Sequence, residues 1–199
     1  MEAGAGIECD VRLSSDGGVV VFHDPDLRRM CNIALEVERT PAALLTGQRL
    51  SGSNQYIPAL WQLLELVGGQ VPLLLELKTR NGNAVHLCSE VVADLAPRDG
   101  PVGVMSFDPQ VARWLKTNAP HIQRGLVIAD RLAPVRRWFS MWIADPQFLA
   151  IDSKAIRKPW VARSRRHRPV YTWTVRTPAD RETARVHADA AIWETDGRP

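Results

Sequence analysis

Residues 6–25 read GIECDVRLSSDGGVVVFHDP and combine two carboxylates with a histidine. Successive side chains of a strand point to opposite faces, so Glu8 and Asp10 are predicted to share one face. Two neighbouring carboxylates repel each other unless a positive charge lies between them, and a hard divalent cation is the obvious candidate. The turn-forming residues 14–18 and the apolar run after them are predicted to bring His23 back to the carboxylates. A metal with a nearby imidazole is typical of phosphate-ester hydrolysis.

Composition indicates an ordinary globular protein. The chain has 199 residues, of which 45% are hydrophobic and 24% charged, so we expect a single domain over residues 1–199. The formal net charge of +3 does not by itself favour nucleic acid or a membrane surface as a partner. Cys9, Cys31 and Cys88 follow no disulfide or zinc spacing, which favours reduced thiols and a cytoplasmic location. No apolar run approaches the roughly 18 residues of a membrane span, so none is expected.

Short apolar strand patterns alternate with helical patterns along the chain, which is typical of βα units with a parallel sheet. Leu60, Leu64 and Val67 lie on one face of a predicted helix. The pairs Asp108-Pro109 and Thr177-Pro178 are predicted helix starts, because each places a capping side chain before a proline. Strands are predicted near 6–12, 71–77, 101–106, 124–129, 147–152, 169–175 and 190–194.

A basic stretch between Lys154 and Arg168 allows two interpretations. One is a nucleic-acid surface, and the other is the solvated face of an outer helix. The modest net charge and the lack of interleaved aromatic residues favour the helix, so no nucleic-acid partner is expected. Most of the following tryptophans are predicted to pack in the core or between helices: Trp61, Trp114, Trp138, Trp142, Trp160 and Trp193.

Residues 6–27 resemble the core signature of the glycerophosphodiester phosphodiesterase family. Four further segments resemble family motifs in the same order, namely IPAL at 57–60, LELK at 75–78, MSFD at 105–108 and WTV at 173–175. The resemblance therefore covers nearly the whole chain. The ordered set is more specific than any one of its parts.

The resemblance implies an α/β fold of the TIM (β/α)8-barrel type. Family members begin with a strand ending in His-Arg-Gly, followed by a Pro-Glu-Asn segment and a helix. Here Met1 lies only seven residues before Glu8. We therefore expect an N-terminally truncated domain that lacks the first βα unit. The missing unit would carry one of the two family histidines that transfer protons and an arginine that binds phosphate.

The same resemblance implies roles for individual residues. Glu8, Asp10 and Glu76 are expected to be the metal ligands, and three carboxylates suit Mg²⁺ or Ca²⁺. His23 resembles one of the family's acid/base histidines. Lys78 is expected to bind the phosphate, or to pair with Glu76, or both.

Two aromatic residues, Phe107 and Trp173, are expected by resemblance to contact the glycerol moiety. Thr195 and Asp196 loosely resemble a C-terminal family motif, but the spacing to Pro199 is one residue too long, and they are left out of the site.

The expected function is metal-dependent hydrolysis of glycerophosphodiesters to sn-glycerol 3-phosphate and an alcohol, with a small-molecule substrate as the partner. An alternative is a catalytically impaired family member that binds a divalent ion or a phosphate ligand without turnover. A third, weaker alternative is nucleic-acid binding through residues 154–168. The sequence leaves the oligomeric state open.

Overall fold

The computed structural model describes residues 5–194. The chain divides into two compact units, with the boundary between Val104 and Met105. We call them the N-terminal unit and the C-terminal unit and describe each by itself. The expectation of a single domain stays a prediction.

The N-terminal unit contains strands, helices and one short 3₁₀ turn at Val37–Arg39. Within it β2, β1, β3 and the first residues of β4 are neighbours in that order. Its elements are β1 (Ile7–Leu13), β2 (Val19–Val21), α1 (Arg28–Cys31), α2 (Ala42–Thr46), α3 (Leu60–Val67), β3 (Leu73–Leu77), α4 (Ala84–Leu95) and the start of β4 (Val102–Ser106).

Strand β1 has two partners along its length. Its first residues run parallel to β3, and this register places Asp10 beside Glu76. Its last residues, 11–13, pair antiparallel with β2. The strand predicted near 6–12 therefore forms, and the returning arm pairs with its last residues and extends it to Leu13.

The turn between β1 and β2 forms as predicted. The Ser14 N–H donates to the Gly18 carbonyl at 2.8 Å, which closes the turn. The Asp16 carboxylate accepts hydrogen bonds from the Ser14 hydroxyl at 2.6 Å and from the Ala42 N–H at 2.9 Å. A Cβ at Gly18 would lie 2.5 Å from the Ala42 Cβ, so the close approach of α2 requires glycine here. These contacts fix the arm that ends at His23.

The excursion between β2 and α3 has a core of its own. Side chains of the arm and of the following loop pack together there, and each buried aliphatic or aromatic side chain contributes about 1.5–3 kcal/mol. The cluster therefore supports the arm that carries His23. Its buried members are Val20, Phe22, Leu27, Cys31, Val37, Leu45 and Ile57.

The C-terminal unit repeats the βα pattern. Strands β5, β6, β7 and β8 are neighbours in that order, and each adjacent pair is parallel. All seven predicted strands are present across the two units, and β2 is additional. The elements after β4 are α5 (Pro109–Asn118), β5 (Gln123–Ile128), α6 (Pro134–Ala144), β6 (Phe148–Asp152), α7 (Pro159–Arg165), β7 (Val170–Val175), α8 (Pro178–His187) and β8 (Ala190–Trp193).

Both predicted helix starts are confirmed. The Asp108 carboxylate accepts a hydrogen bond from the Gln110 N–H at 2.9 Å and caps α5. Thr177 and Asp180 form a reciprocal capping box at the start of α8. Local sequence therefore determined where these helices begin.

The prediction for the tryptophans was wrong for three of them. Trp61 on α3 is 48% exposed, and Trp138 and Trp142 on α6 are 61% and 70% exposed. Trp114, Trp160 and Trp193 are half-buried. Within residues 5–194, no helix is both long and apolar enough to cross a membrane.

Candidate functional site

Three carboxylates of the N-terminal unit meet where β1 and β3 run side by side. Glu8 and Asp10 lie on one face of β1, as the alternation of a strand requires. The parallel register brings Glu76 of β3 next to Asp10. One oxygen from each of the three carboxylates lies within 4.8 Å of the other two. This carboxylate cluster has the donor atoms that a hard divalent cation prefers.

Lys78 follows β3 and reaches the carboxylate cluster. Its Nζ lies 2.9 Å from Asp10 Oδ1 and also donates to Glu76 Oε1. The backbone N–H of Lys78 donates to the Val11 carbonyl at 3.0 Å, which holds the lysine beside β1. The predicted ion pair with Glu76 is thus confirmed and extends to Asp10. A contact between Lys78 and phosphate stays a prediction.

Burial and neighbouring charges shift the pKa values of Glu76 and Lys78. Glu76 is almost fully buried, and its desolvation raises its pKa above the ordinary value although Lys78 opposes the shift. Burial alone would lower the pKa of Lys78, but the carboxylates of Glu76 and Asp10 outweigh it and raise that pKa. The lysine is therefore charged at neutral pH and partly neutralises the carboxylate cluster.

His23 lies at the end of the returning arm, and its side chain is 61% exposed. Its Nδ1 is 2.7 Å from Asp24 Oδ1, and Asp24 Oδ2 accepts a hydrogen bond from Arg29 Nε at 2.6 Å. The hydrogen bonds from Arg29 and then from His23 lower the pKa of Asp24 below its usual value. An ionised Asp24 keeps the ring proton of His23 on Nδ1, so Nε2 is the nitrogen that is available for proton transfer. The N–H of the preceding residue, Phe22, donates to the Asp10 carbonyl at 2.9 Å, so the arm reaches His23 alongside the strand that carries Glu8 and Asp10.

Arg12 is a buried residue that no sequence motif singled out. Its Nε donates to the His23 carbonyl at 2.8 Å, and its guanidinium pairs with Glu38 at 2.7 Å. Arg80 also approaches Glu38, at 3.6 Å. The sequence signal for Arg12 was its position two residues after Asp10 in the same strand, which places both side chains on one face. Arg12 thereby fixes the backbone that presents the histidine.

The two predicted substrate-binding residues are together in the C-terminal unit. The rings of Phe107 and Trp173 meet edge to face, with centroids 5.5 Å apart. Trp173 Nε1 donates to the Ala150 carbonyl at 3.1 Å, which fixes the indole, and Phe107 is 44% exposed. Their contact with glycerol stays a prediction. Thr195 and Asp196 lie outside the described residues.

Several side chains of the basic stretch have partners within their own unit. Lys158 pairs with Asp130 at 2.6 Å, and Arg165 pairs with Asp189 at 2.9 Å. These contacts support the interpretation as an outer helix whose charges have structural partners.

The sequence is similar to that of a known enzyme. A glycerophosphodiester phosphodiesterase of Caldanaerobacter subterraneus subsp. tengcongensis is 30% identical over 140 residues, which are 64% of this chain and 56% of that protein. The chain therefore matches just over half of the length of this relative.

Solved structures show the same fold. A phosphodiesterase of Oleispira antarctica, in complex with the product sn-glycerol-3-phosphate, superposes with a TM-score of 0.83 and 24% identity over 96% of this chain and 83% of that one. A glycerophosphodiester phosphodiesterase of Parabacteroides distasonis superposes with a TM-score of 0.79 and 21% identity, covering 96% and 81%. The similarity confirms the predicted α/β fold class of the TIM-barrel type.

The family model described as the glycerophosphoryl diester phosphodiesterase family matches residues 1–194. This match spans both units and includes the carboxylate cluster, His23 and the aromatic pair. The chain belongs to the glycerophosphoryl diester phosphodiesterase family.

Proposed function

We propose that this chain hydrolyses glycerophosphodiesters to sn-glycerol 3-phosphate and an alcohol with the help of a divalent ion. The observation that carries the proposal is the carboxylate cluster of Glu8, Asp10 and Glu76, with Lys78 paired to it and His23 on the arm that returns to Asp10. Family membership supports the reaction class. The product found in the Oleispira antarctica structure supports sn-glycerol 3-phosphate as the ligand.

The ion is proposed to be Mg²⁺ or Ca²⁺, held by the three carboxylates. Oxygen donors alone fit a hard cation and not a soft one. The half-exposed Glu8 and Asp10 keep one side of the cluster open to solvent, whereas Glu76 is buried. When bound, such an ion supplies Lewis-acid stabilisation of negative charge on phosphate oxygens.

The side chains of the protein supply the proton and the remaining positive charge. Water attacks phosphorus as the P–O bond to the alcohol breaks, and His23 Nε2 transfers a proton to the oxygen of the leaving alcohol while Asp24 holds Nδ1. The Lys78 ammonium, which contacts the carboxylates of Asp10 and Glu76, stabilises a non-bridging phosphate oxygen. Phe107 and Trp173 offer an apolar edge for the carbon atoms of the glycerol moiety.

The direct test is hydrolysis of glycerophosphocholine in the presence of Mg²⁺ or Ca²⁺, measured as release of glycerol 3-phosphate. We expect turnover in the wild-type chain and its loss in His23→Ala. His86→Ala is the matched control, because His86 is an exposed histidine whose ion pair with Glu90, at 3.5 Å, lies within its own helix. Turnover that persists in His23→Ala would reject the assigned role of His23.

A second readout distinguishes the alternative function. If the wild-type chain shows no turnover but its melting temperature rises with Mg²⁺ or Ca²⁺, and Glu76→Ala removes the rise, the chain binds the ion without catalysis. If neither turnover nor an ion-dependent rise is observed, hydrolysis and binding of the ion are both rejected.

A further inference from the structure

Helix α6 carries an apolar stripe that faces away from the core of its unit. The four residues are spaced i, i+3, i+4 and i+7, which is the pattern of a helix face that packs against a core. In this helix the core lies on the other side, where Met141 and Ala144 pack against the buried cluster of the unit. The stripe consists of Val135, Trp138, Phe139 and Trp142, which are 68%, 61%, 50% and 70% exposed.

The rings of the stripe are ordered by contacts within the C-terminal unit. Trp138 and Phe139 meet edge to face with centroids 4.9 Å apart. At the side of the helix, the Arg137 guanidinium lies 4.1 Å from the ring centroid of Trp160 on α7. These contacts leave the outer surfaces of the Trp138 and Phe139 rings accessible. An exposed contiguous apolar patch of this kind marks an interaction surface.

The charge around the stripe is positive. Helix α6 contains Arg136 and Arg137 and no acidic residue. Between residues 109 and 144 the sequence has one acidic residue, Asp130, and its carboxylate pairs with Lys158. Residues 105–199 contain 17 Lys and Arg against 9 Asp and Glu, whereas residues 1–104 contain 8 against 13. The modest net charge of the chain therefore conceals a strongly basic second half.

We propose that this face of α6 docks the C-terminal unit onto the surface of an anionic phospholipid bilayer. Tryptophan and phenylalanine side chains insert at the headgroup level, and arginines beside them attract acidic headgroups. A helix of 11 residues is about 16 Å long and can lie in the plane of the surface. A second copy would present the same positive charge to the stripe, whereas an anionic surface complements that charge. Docking of this kind is independent of the proposed catalytic function.

The test is flotation of the full chain with two kinds of vesicle. One is pure phosphatidylcholine, and the other contains phosphatidylcholine with phosphatidylglycerol. We expect binding to the anionic vesicles that weakens as salt is added, because the headgroup attraction is screened. The double variant Trp138→Ala/Trp142→Ala should bind at least about tenfold more weakly, because it removes the side chains that would be buried in the interface.

Two further variants separate the contribution of the surface charge from that of the apolar stripe. Arg136→Gln keeps the apolar stripe and should weaken binding to anionic vesicles about fivefold, because one surface cation is lost. Trp61→Ala is the matched control, since Trp61 is an exposed tryptophan on a helix of the N-terminal unit. It should bind like the wild-type chain.

Four outcomes would overturn the proposal. The wild-type chain could fail to float with anionic vesicles, or it could bind neutral vesicles equally well. The double variant could bind as strongly as the wild-type chain. Finally, light scattering could show a dimer that the double variant converts to a monomer, in which case a second copy covers the stripe.

Discussion

At the scale of single residues, Arg12 joins the first strand to the arm that carries the histidine. Its guanidinium is buried, contacts the His23 carbonyl, and forms an ion pair with a carboxylate that is itself shielded from solvent. Replacement of both partners of such a pair by well-packed apolar residues is often neutral for stability. The loss of one partner is costly, because it leaves an uncompensated charge.

We predict that Arg12→Met lowers the free energy of unfolding by about 3 kcal/mol, because Glu38 remains buried without its main partner. The double variant Arg12→Met/Glu38→Leu should recover much of this loss, since no buried charge is then unpaired. Urea denaturation measures the free energy of unfolding of both variants. The control is Arg28→Met, whose exposed pair with Asp26 spans 3.8 Å and should change stability by less than about 1 kcal/mol. Equal losses in the single and double variants would contradict the assignment.

Asp24 is predicted to position His23 without contacting the substrate. The hydrogen bonds from Arg29 and His23 lower its pKa, so the stabilisation from the ionised carboxylate is present above the ordinary pKa of an aspartate and is lost as the pH falls through the lowered pKa. Asp24→Asn removes the charge and should lower kcat for glycerophosphocholine at least about tenfold with little change in KM. Asp26→Asn, two residues away, is the control. A changed KM with an unchanged kcat would argue against positioning.

At the scale of elements, a glycine in β5 allows an aromatic ring of β6 to cover the strand. Gly125 and Phe148 are partners in the parallel register, and a Cβ at position 125 would lie 2.2 Å from the Phe148 ring. Tyr171 of β7 stacks on the same ring with centroids 5.1 Å apart. The three strands are thus linked on one face by a glycine, a phenylalanine and a tyrosine.

Gly125→Ala should therefore lower the free energy of unfolding by about 1–3 kcal/mol, because the added methyl forces the Phe148 ring from its position against Tyr171. Thermal unfolding followed by circular dichroism is the measurement. Gly47→Ala is the control, since a Cβ there meets nothing closer than 3.4 Å and the backbone has an ordinary helical conformation. A stability equal to the wild type in Gly125→Ala would show that the ring can move freely.

At the scale of the whole molecule, ion binding and folding are linked. An ion that binds the native chain and not the unfolded chain stabilises it by mass action, by about 2.7 kcal/mol at a hundredfold excess over Kd. For a chain of this length that corresponds to a rise in Tm of roughly 5–10 °C. We expect this rise on addition of Mg²⁺ or Ca²⁺ and its reversal by a chelator.

The matched pair of variants for this prediction is Glu76→Ala and Glu90→Ala. Glu76 belongs to the carboxylate cluster, whereas Glu90 lies on α4 and pairs with His86 on the same helix. The first should abolish the ion-dependent rise and the second should preserve it. An unchanged rise in Glu76→Ala would remove this residue from the proposed site.

The strand and helix positions could be predicted because they depend on neighbours in the chain. All seven predicted strands form, and Asp108 and Thr177 cap their helices as expected. The common face of Glu8 and Asp10 follows from the same local geometry. The family, and with it the fold class, followed from ordered motifs at 6–27, 57–60, 75–78, 105–108 and 173–175.

The tertiary structure alone decided which distant groups meet. The parallel register set Asp10 beside Glu76, packing placed Lys78 between them, and a buried pair joined Arg12 to Glu38. It also turned the apolar stripe of α6 outward. The physical reason is the same in each case. Alternation and helical period reveal which side chains share a face, but only the packing of residues far apart in the chain decides what that face meets.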